Sequence, residues 1–157
     1  TGIDASYKNI EVAKIHSKKS NLNIKYVNTS PEKKIITEKF DVVLNLEVVE
    51  HVENLDLFLK SASDLLKKNG IMFIATINRT LESYIKAIVG AEYILRWLPI
   101  GTHDWQKFLK PIEIEKKNYH FNLKKIELDG LRFSIIFNKW SLTKDCSVNY
   151  IMVFQKN

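Results

Sequence analysis

The sequence contains one cysteine, five scattered glycines and no apolar run of 18 residues, and each shortage excludes something. Cys146 alone cannot close an internal disulfide; it suits a reducing compartment, and a small buried apolar role accounts for it. No stretch is apolar for long enough to cross a bilayer. The glycines stand at positions 2, 70, 90, 101 and 130, so no G-x-G loop occurs anywhere. Internal repeats, linkers and low-complexity tracts are also missing. The net charge of +6 and pI near 9.3 permit attraction to anionic surfaces. The lysines are spread along the chain without a nucleic-acid-binding module, so they read as solvated faces and no nucleic-acid partner is expected.

What is present describes a globular chain. At 157 residues, 45% hydrophobic and 27% charged, one domain with its own core is expected. Strand-like and helix-like segments alternate. Thr1 to Asp4 ends a strand, and Ser6 caps a helix through about Lys19. Ile24 to Val27 is a short strand, Pro31 opens a helical turn, and Asp41 to Asn45 is the next strand. Leu55, Phe58, Leu59, Ala62, Leu65 and Leu66 fall at helical spacing, with Asn69-Gly70 expected to close that helix. Ile71 to Thr76 reads as a buried strand, Pro111 to Lys117 as a short helix, and Leu123 to Asp129 and Val148 to Gln155 as closing strands. Strands separated by helices predict a mostly parallel α/β sheet.

The most informative run is Phe40 to Val52, where a short apolar strand leads into two carboxylates and an imidazole. Should a helix begin at Glu47, the i, i+3, i+4 spacing would set Glu47, Glu50 and His51 on one face. Such a trio can hold a divalent cation or place an acid/base beside an acceptor. The plain alternative is a solvated helix start, where acidic residues favour the positive end of the dipole.

Leu46-Glu47-Val48-Val49-Glu50-His51-Val52 after the strand resembles the post-strand motif of class I S-adenosylmethionine-dependent methyltransferases. The runs Thr76 to Arg79, Gly90 to Arg96, Gly101 to Asp104 and Val148 to Tyr150 are similar to the ubiquinone biosynthesis O-methyltransferases. That resemblance runs in the family's order from Thr1 to about Lys156 and is weakest between Phe121 and Cys146. It implies a Rossmann-like methyltransferase sheet with flanking helices, in one domain with an apolar helical insertion at about 78–110. In doubly wound nucleotide-binding folds a glycine loop follows the first strand. Since that loop does not occur here, the sequence is expected to be the C-terminal part of such an enzyme, lacking the first strand, with a companion N-terminal piece as one conceivable partner.

Residue by residue, the resemblance assigns Asp4 to the cofactor's ribose hydroxyls and Leu46 to the cofactor pocket. A turn Asp is the plain alternative for Asp4. Glu47, Glu50 and His51 match the family's E-x-x-E-H, implicated in binding a divalent metal such as Mg2+, with His51 also the candidate base. Carboxylates suit a hard cation, whereas an imidazole leans towards zinc or manganese. His103-Asp104 is a weaker polar pair, read first as loop capping, and Trp97, Trp105 and Trp140 as packed rings.

Leu81 to Leu98 is strongly apolar, with Glu82/Lys86 and Glu92/Arg96 spaced as i, i+4 pairs. Too short and charged to span a bilayer, it has the pattern of an in-plane interfacial helix or of a substrate lid. The function implied is O-methylation of polyprenylated hydroxyphenol or catechol intermediates in ubiquinone biosynthesis, with S-adenosylmethionine as cofactor. Implied partners are a polyprenyl phenol or quinol, the membrane surface, and other ubiquinone-biosynthesis proteins, at a cytoplasmic site on the inner membrane. The alternatives are another small-molecule methyltransferase, or an inactive, structural fragment of one.

Overall fold

The computed structural model describes residues 1–96, 99–102, 104–134 and 138–157, apart from the side chains of Ala87 and Ala91. Trp97, Leu98 and His103, singled out above, lie outside the described residues. The chain forms two compact units, Thr1–Glu38 and Lys39–Asn157.

In the first unit β1 (Gly2–Asp4) and β2 (Tyr26–Asn28) pair in parallel, Asp4 opposite Asn28, and α1 (Tyr7–Lys19) connects them. The Ser6 side chain accepts the Asn9 N–H at the helix start, and His16, Lys18 and Lys19 sit where the helix dipole is negative. A 3-10 turn over Pro31–Lys33 follows.

The second unit carries β3 (Phe40–Leu46), α2 (Leu55–Asp64), β4 (Leu66–Ile77) and α3 (Leu81–Ser83). A π-helical stretch, Tyr84–Ile94, continues from α3, and a 3-10 turn covers Trp105–Lys107. Then come α4 (Pro111–Tyr119), β5 (Leu123–Ser134), β6 (Lys139–Thr143) and β7 (Asn149–Lys156). Its sheet has the order β3-β4-β7-β5-β6. Only β3–β4 is parallel, because β7 returns antiparallel between β4 and β5, and β6 folds back on β5 as a hairpin. The expected mostly parallel sheet is therefore mixed in this unit.

One face of that sheet is covered. Phe58, Leu59 and Ala62 of α2 and Ile114 of α4 pack with Met72, Ile74, Leu123, Tyr150, Met152 and Phe154 in one cluster. Burying each large side chain stabilises by about 1.5–3 kcal/mol. The helical spacing read at Leu55 to Ala62 is the spacing that fills this core. On the other side of β3, Val42, Leu44 and Leu46 remain exposed.

Contrary to expectation, Asn69-Gly70 does not end α2. The helix stops at Asp64, and Asn69, with φ +62, lies inside β4. Leu66 pairs with Phe40 and is drawn into the core, so the strand begins before the Asn-Gly pair.

Tyr150, fully buried, donates its hydroxyl to the Leu109 carbonyl at 2.7 Å, joining β7 to the segment before α4. Burial first, then the charges of Glu50 and Glu113, keep this phenol neutral. Tyr150→Phe is expected to leave the Leu109 carbonyl without its donor and to cost about 1–3 kcal/mol. Urea unfolding that gives the variant wild-type stability would show the carbonyl to be satisfied otherwise.

Candidate active site

Open α/β sheets bind ligands at the carboxyl ends of their parallel strands. In the second unit that edge is the end of β3, where Leu46 pairs with Ala75 and the next N–H, from Glu47, still bonds the Ala75 carbonyl at 2.9 Å. Held by that bond, Glu47 turns the chain with φ +53, a left-handed conformation uncommon for a residue with a Cβ. No helix begins here. Residues 49–51 form a turn closed by His51 N–H to the Val48 carbonyl at 2.9 Å, and the next helix starts only at Leu55, capped by Asn54. The one-helix-face account of Glu47, Glu50 and His51 is therefore corrected to a turn.

The turn still brings the two glutamates together. Glu50 is 4% exposed, and neither carboxylate oxygen has a hydrogen-bond partner among the described residues. Such a group is costly unless a proton, a cation or water satisfies it. The Glu47 residue presents surface to solvent, yet its carboxyl end is desolvated and faces Glu50. Burial first, then the like charge of Glu50, push the Glu47 carboxyl up to about 8. A proton on Glu47 would satisfy one Glu50 oxygen; a divalent cation would satisfy carboxylates from both. The donor set thus fits a hard cation at Glu47 and Glu50.

His51 is exposed and lines a cavity of about 140 Å³ with Glu50. Its other walls are Gly101, Thr102, Asp104, Lys107 and Phe108, all from the segment between β4 and α4. Among the described residues no three His, Cys, Asp or Glu side chains converge closely enough to hold a metal ion. The structure pairs Glu47 with Glu50 and sets His51 on the cavity wall.

Leu46 closes β3 with its side chain half exposed. In the first unit Asp4 ends β1, and its carboxylate accepts the Ser6 N–H at 2.7 Å and the Asn9 side-chain amide at 3.2 Å. Asn28 donates its amide to the carbonyls of Asp4 and Ala5, both at 2.9 Å, which fixes the strand end.

Thr102 and Asp104 fall in the run Gly101 to Asp104 that carries the resemblance, whereas Lys107 has no motif or spacing to mark it in the sequence. Asp104 does cap a turn, accepting the Gln106 N–H at 3.0 Å, and also lines the cavity. Trp105 is packed, as read: its indole N–H donates to the Thr80 carbonyl at 2.9 Å and its ring meets Tyr84 edge-on.

A model of the methyltransferase domain matches residues 1–74. Solved structures with the same fold include a methyltransferase from Thermotoga maritima described as a possible histamine N-methyltransferase. Its TM-score is 0.67 at 15% identity, over 99% of this chain and 72% of that one. The magnesium protoporphyrin IX methyltransferase of Synechocystis PCC 6803, solved with S-adenosylhomocysteine, gives 0.67 at 14%, over 99% and 63%. In fold and in sequence the chain is similar to the class I S-adenosylmethionine-dependent methyltransferases. Within that class its similarity is to the ubiquinone biosynthesis O-methyltransferases. It is 62% identical to that of Pelagibacter ubique, over 99% of this chain and 65% of the relative. With that of Bartonella bacilliformis it shares 50%, over 99% and 63%. The chain therefore spans slightly less than two thirds of the length of these relatives.

The raised Glu47 carboxyl sets a pH dependence. Between the ordinary value of 4.5 and about 8 the folded protein keeps a proton that the unfolded chain has lost. The stabilising contribution is full below 4.5 and lost as pH rises through about 8. Melting curves in chelator, from about pH 5 to about pH 9, should fall more steeply for wild type than for Glu47→Gln. Added Mg2+ should recover wild-type stability mainly at the alkaline end, where it no longer competes with the proton. Parallel curves for the two proteins would remove the carboxyl pair from this role.

Proposed function

We propose that the protein carrying this sequence transfers a methyl group from S-adenosylmethionine to a phenol or catechol oxygen of a polyprenylated intermediate in ubiquinone biosynthesis. The carrying observation is the 62% identity, along 99% of the chain, to a relative bearing that name. Support from the site is the carboxyl pair at the end of β3 and a cavity large enough for part of an aromatic ring, bordered by polar groups.

In this reaction the acceptor O–H loses its proton, the oxygen forms a bond to the methyl carbon, and the carbon–sulfur bond breaks with its electron pair on sulfur. S-adenosylhomocysteine leaves. A free phenol is mostly protonated at neutral pH, so the protein must favour the phenolate. His51, on the cavity wall beside Glu50, is the base that takes this proton. Glu47 and Glu50 would hold the divalent cation, which when bound supplies charge that favours the ionised acceptor. Asp4 accepts hydrogen bonds from the ribose hydroxyls, already oriented by Ser6 and Asn9. Leu46 borders the cofactor as an apolar wall.

The polyprenyl tail of such an acceptor belongs at a membrane surface. Leu81, Ile85, Tyr93, Ile94 and Ile100 are all more than half exposed, with Lys86 and Arg96 exposed among them. No helix of the described residues is long and apolar enough to cross a membrane. An apolar strip with basic neighbours instead supports reversible docking on anionic lipid. The same segment returns through Gly101–Phe108 to the cavity, so tail and ring would be received by neighbouring stretches of chain.

Cofactor and acceptor roles separate by mutation in the complete protein. Asp4→Asn should weaken S-adenosylmethionine binding by about 1–3 kcal/mol through lost charge-assisted hydrogen bonds. Glu50→Gln should leave that affinity near wild type and remove most methyl transfer. Calorimetric titration beside a turnover assay checks both, and a complete protein that binds no S-adenosylmethionine would end the methyltransferase reading.

Docking is tested with the combined changes Leu81→Ser, Ile85→Ser and Ile94→Ser. All three side chains are exposed, so the melting temperature should hardly move. Flotation with anionic liposomes should be lost, and wild-type flotation should weaken with salt. A folded triple variant that still floats would sink the docking role.

A further inference from the structure

The cavity beside Glu50 is lined by groups of both charges. Glu50 and Asp104 line it as carboxylates, His51 as an imidazole, and Thr102 as a neutral hydroxyl. Lys107 contributes its cation among the described residues. It takes part in none of the ion pairs found among the described residues, whereas Lys60, Lys67, Lys86, Lys117, Lys125 and Lys144 each have a carboxylate partner.

Its backbone is firmly held. The 3-10 turn carrying Lys107 is closed by Lys107 N–H to the Asp104 carbonyl at 2.9 Å and Phe108 N–H to the Trp105 carbonyl at 3.2 Å. Before it, the Trp105 indole is tied to Thr80 at 2.9 Å. After it, Phe108 is 1% exposed and its carbonyl accepts from Arg79 at 3.2 Å. Arg79 in turn pairs with Glu113 of α4. A lysine on a turn fixed at both ends, beside a cavity and without a carboxylate partner among the described residues, is available to an incoming anion.

We propose that Lys107 binds the ionised oxygen of the phenolic acceptor in this cavity, a role that rests on the methyl-transfer reading above. Its ammonium stays protonated throughout. The phenol proton leaves to His51 or solvent, and Lys107 favours the phenolate by charge, as a positively charged donor at the point where negative charge must develop. It also sets specificity: the cavity would select an acceptor whose reacting group can carry negative charge and would disfavour an amine.

The test uses 4-nitrocatechol, whose ionisation is visible in its absorption spectrum, with the complete protein in chelator so that no metal contributes. Bound to wild type, the probe should ionise at lower pH than it does free. Lys107→Met should raise that midpoint by about one pH unit and weaken binding at neutral pH about tenfold, while Lys107→Arg should retain most of the wild-type shift. A merely structural Lys107 would change affinity without moving the midpoint. An unchanged midpoint in Lys107→Met would overturn the assignment. Wild-type protein that binds S-adenosylmethionine but not the probe would overturn the phenolic-acceptor reading, and this assignment with it.

Discussion

Two carboxyl groups facing each other at the end of β3 are the constraint from which the rest of the site follows. Glu50 is withdrawn from water without a donor for either oxygen among the described residues, and Glu47 is desolvated against it. Two like charges so placed are unstable together, and the arrangement needs a proton or a cation between them. The fold supplies the rigidity that keeps them there. The Glu47 N–H is the last rung of the β3–β4 ladder, and its left-handed backbone directs the chain into the turn that buries Glu50. Beneath, Val49 joins the core with Phe58, Leu59 and Tyr150, so turn and core are stabilised as one piece.

Much of the fold was legible because it rests on local rules. Ser6 marked its helix by the cap it makes, and Leu55, Phe58, Leu59 and Ala62 marked theirs by spacing. What could not be read was decided by distant partners. A helix from Glu47 agreed with local sequence, but the Ala75 carbonyl, 28 residues away, holds Glu47 in the sheet instead. Asn69-Gly70 has a helix stop's chemistry, yet Leu66 was already paired with Phe40. β6 has an all-exposed run in Lys39's unit, Lys139 to Leu142, with no core alternation to announce it, and only its pairing with β5 makes it a strand. Glu92 offered an i, i+4 partner for Arg96 and a place on a polar face; instead it is buried and accepts the Gly101 N–H at 2.7 Å.

The site was half legible for the same reason. Glu47 and Glu50 are three residues apart, so any tight turn can join them, and the sequence sufficed to find the pair. Lys107 reaches the cavity from more than 50 residues away, beyond the Gly101 to Asp104 run that carries the resemblance. Nothing in a lysine followed by a phenylalanine signals a binding group. The signal lies in the anchoring of Trp105 and Phe108 on either side of it, which only the folded chain reveals.

The segment between β4 and α4 thereby joins two environments, and the proposed acceptor would meet both. Its first half exposes large apolar side chains, whose transfer from water to lipid would be favourable by roughly 25 cal/mol per Å². Its second half presents Lys107, Thr102 and Asp104 to the cavity beside Glu50. A small hydrophilic acceptor would gain nothing from the first half, and a plain lipid nothing from the second. A long apolar tail ending in an ionisable ring matches both. Exposed apolar surface in a water-soluble setting is a liability unless something covers it. Under the docking proposed above, lipid would cover that surface and hold the cavity near the polar ring of the proposed acceptor.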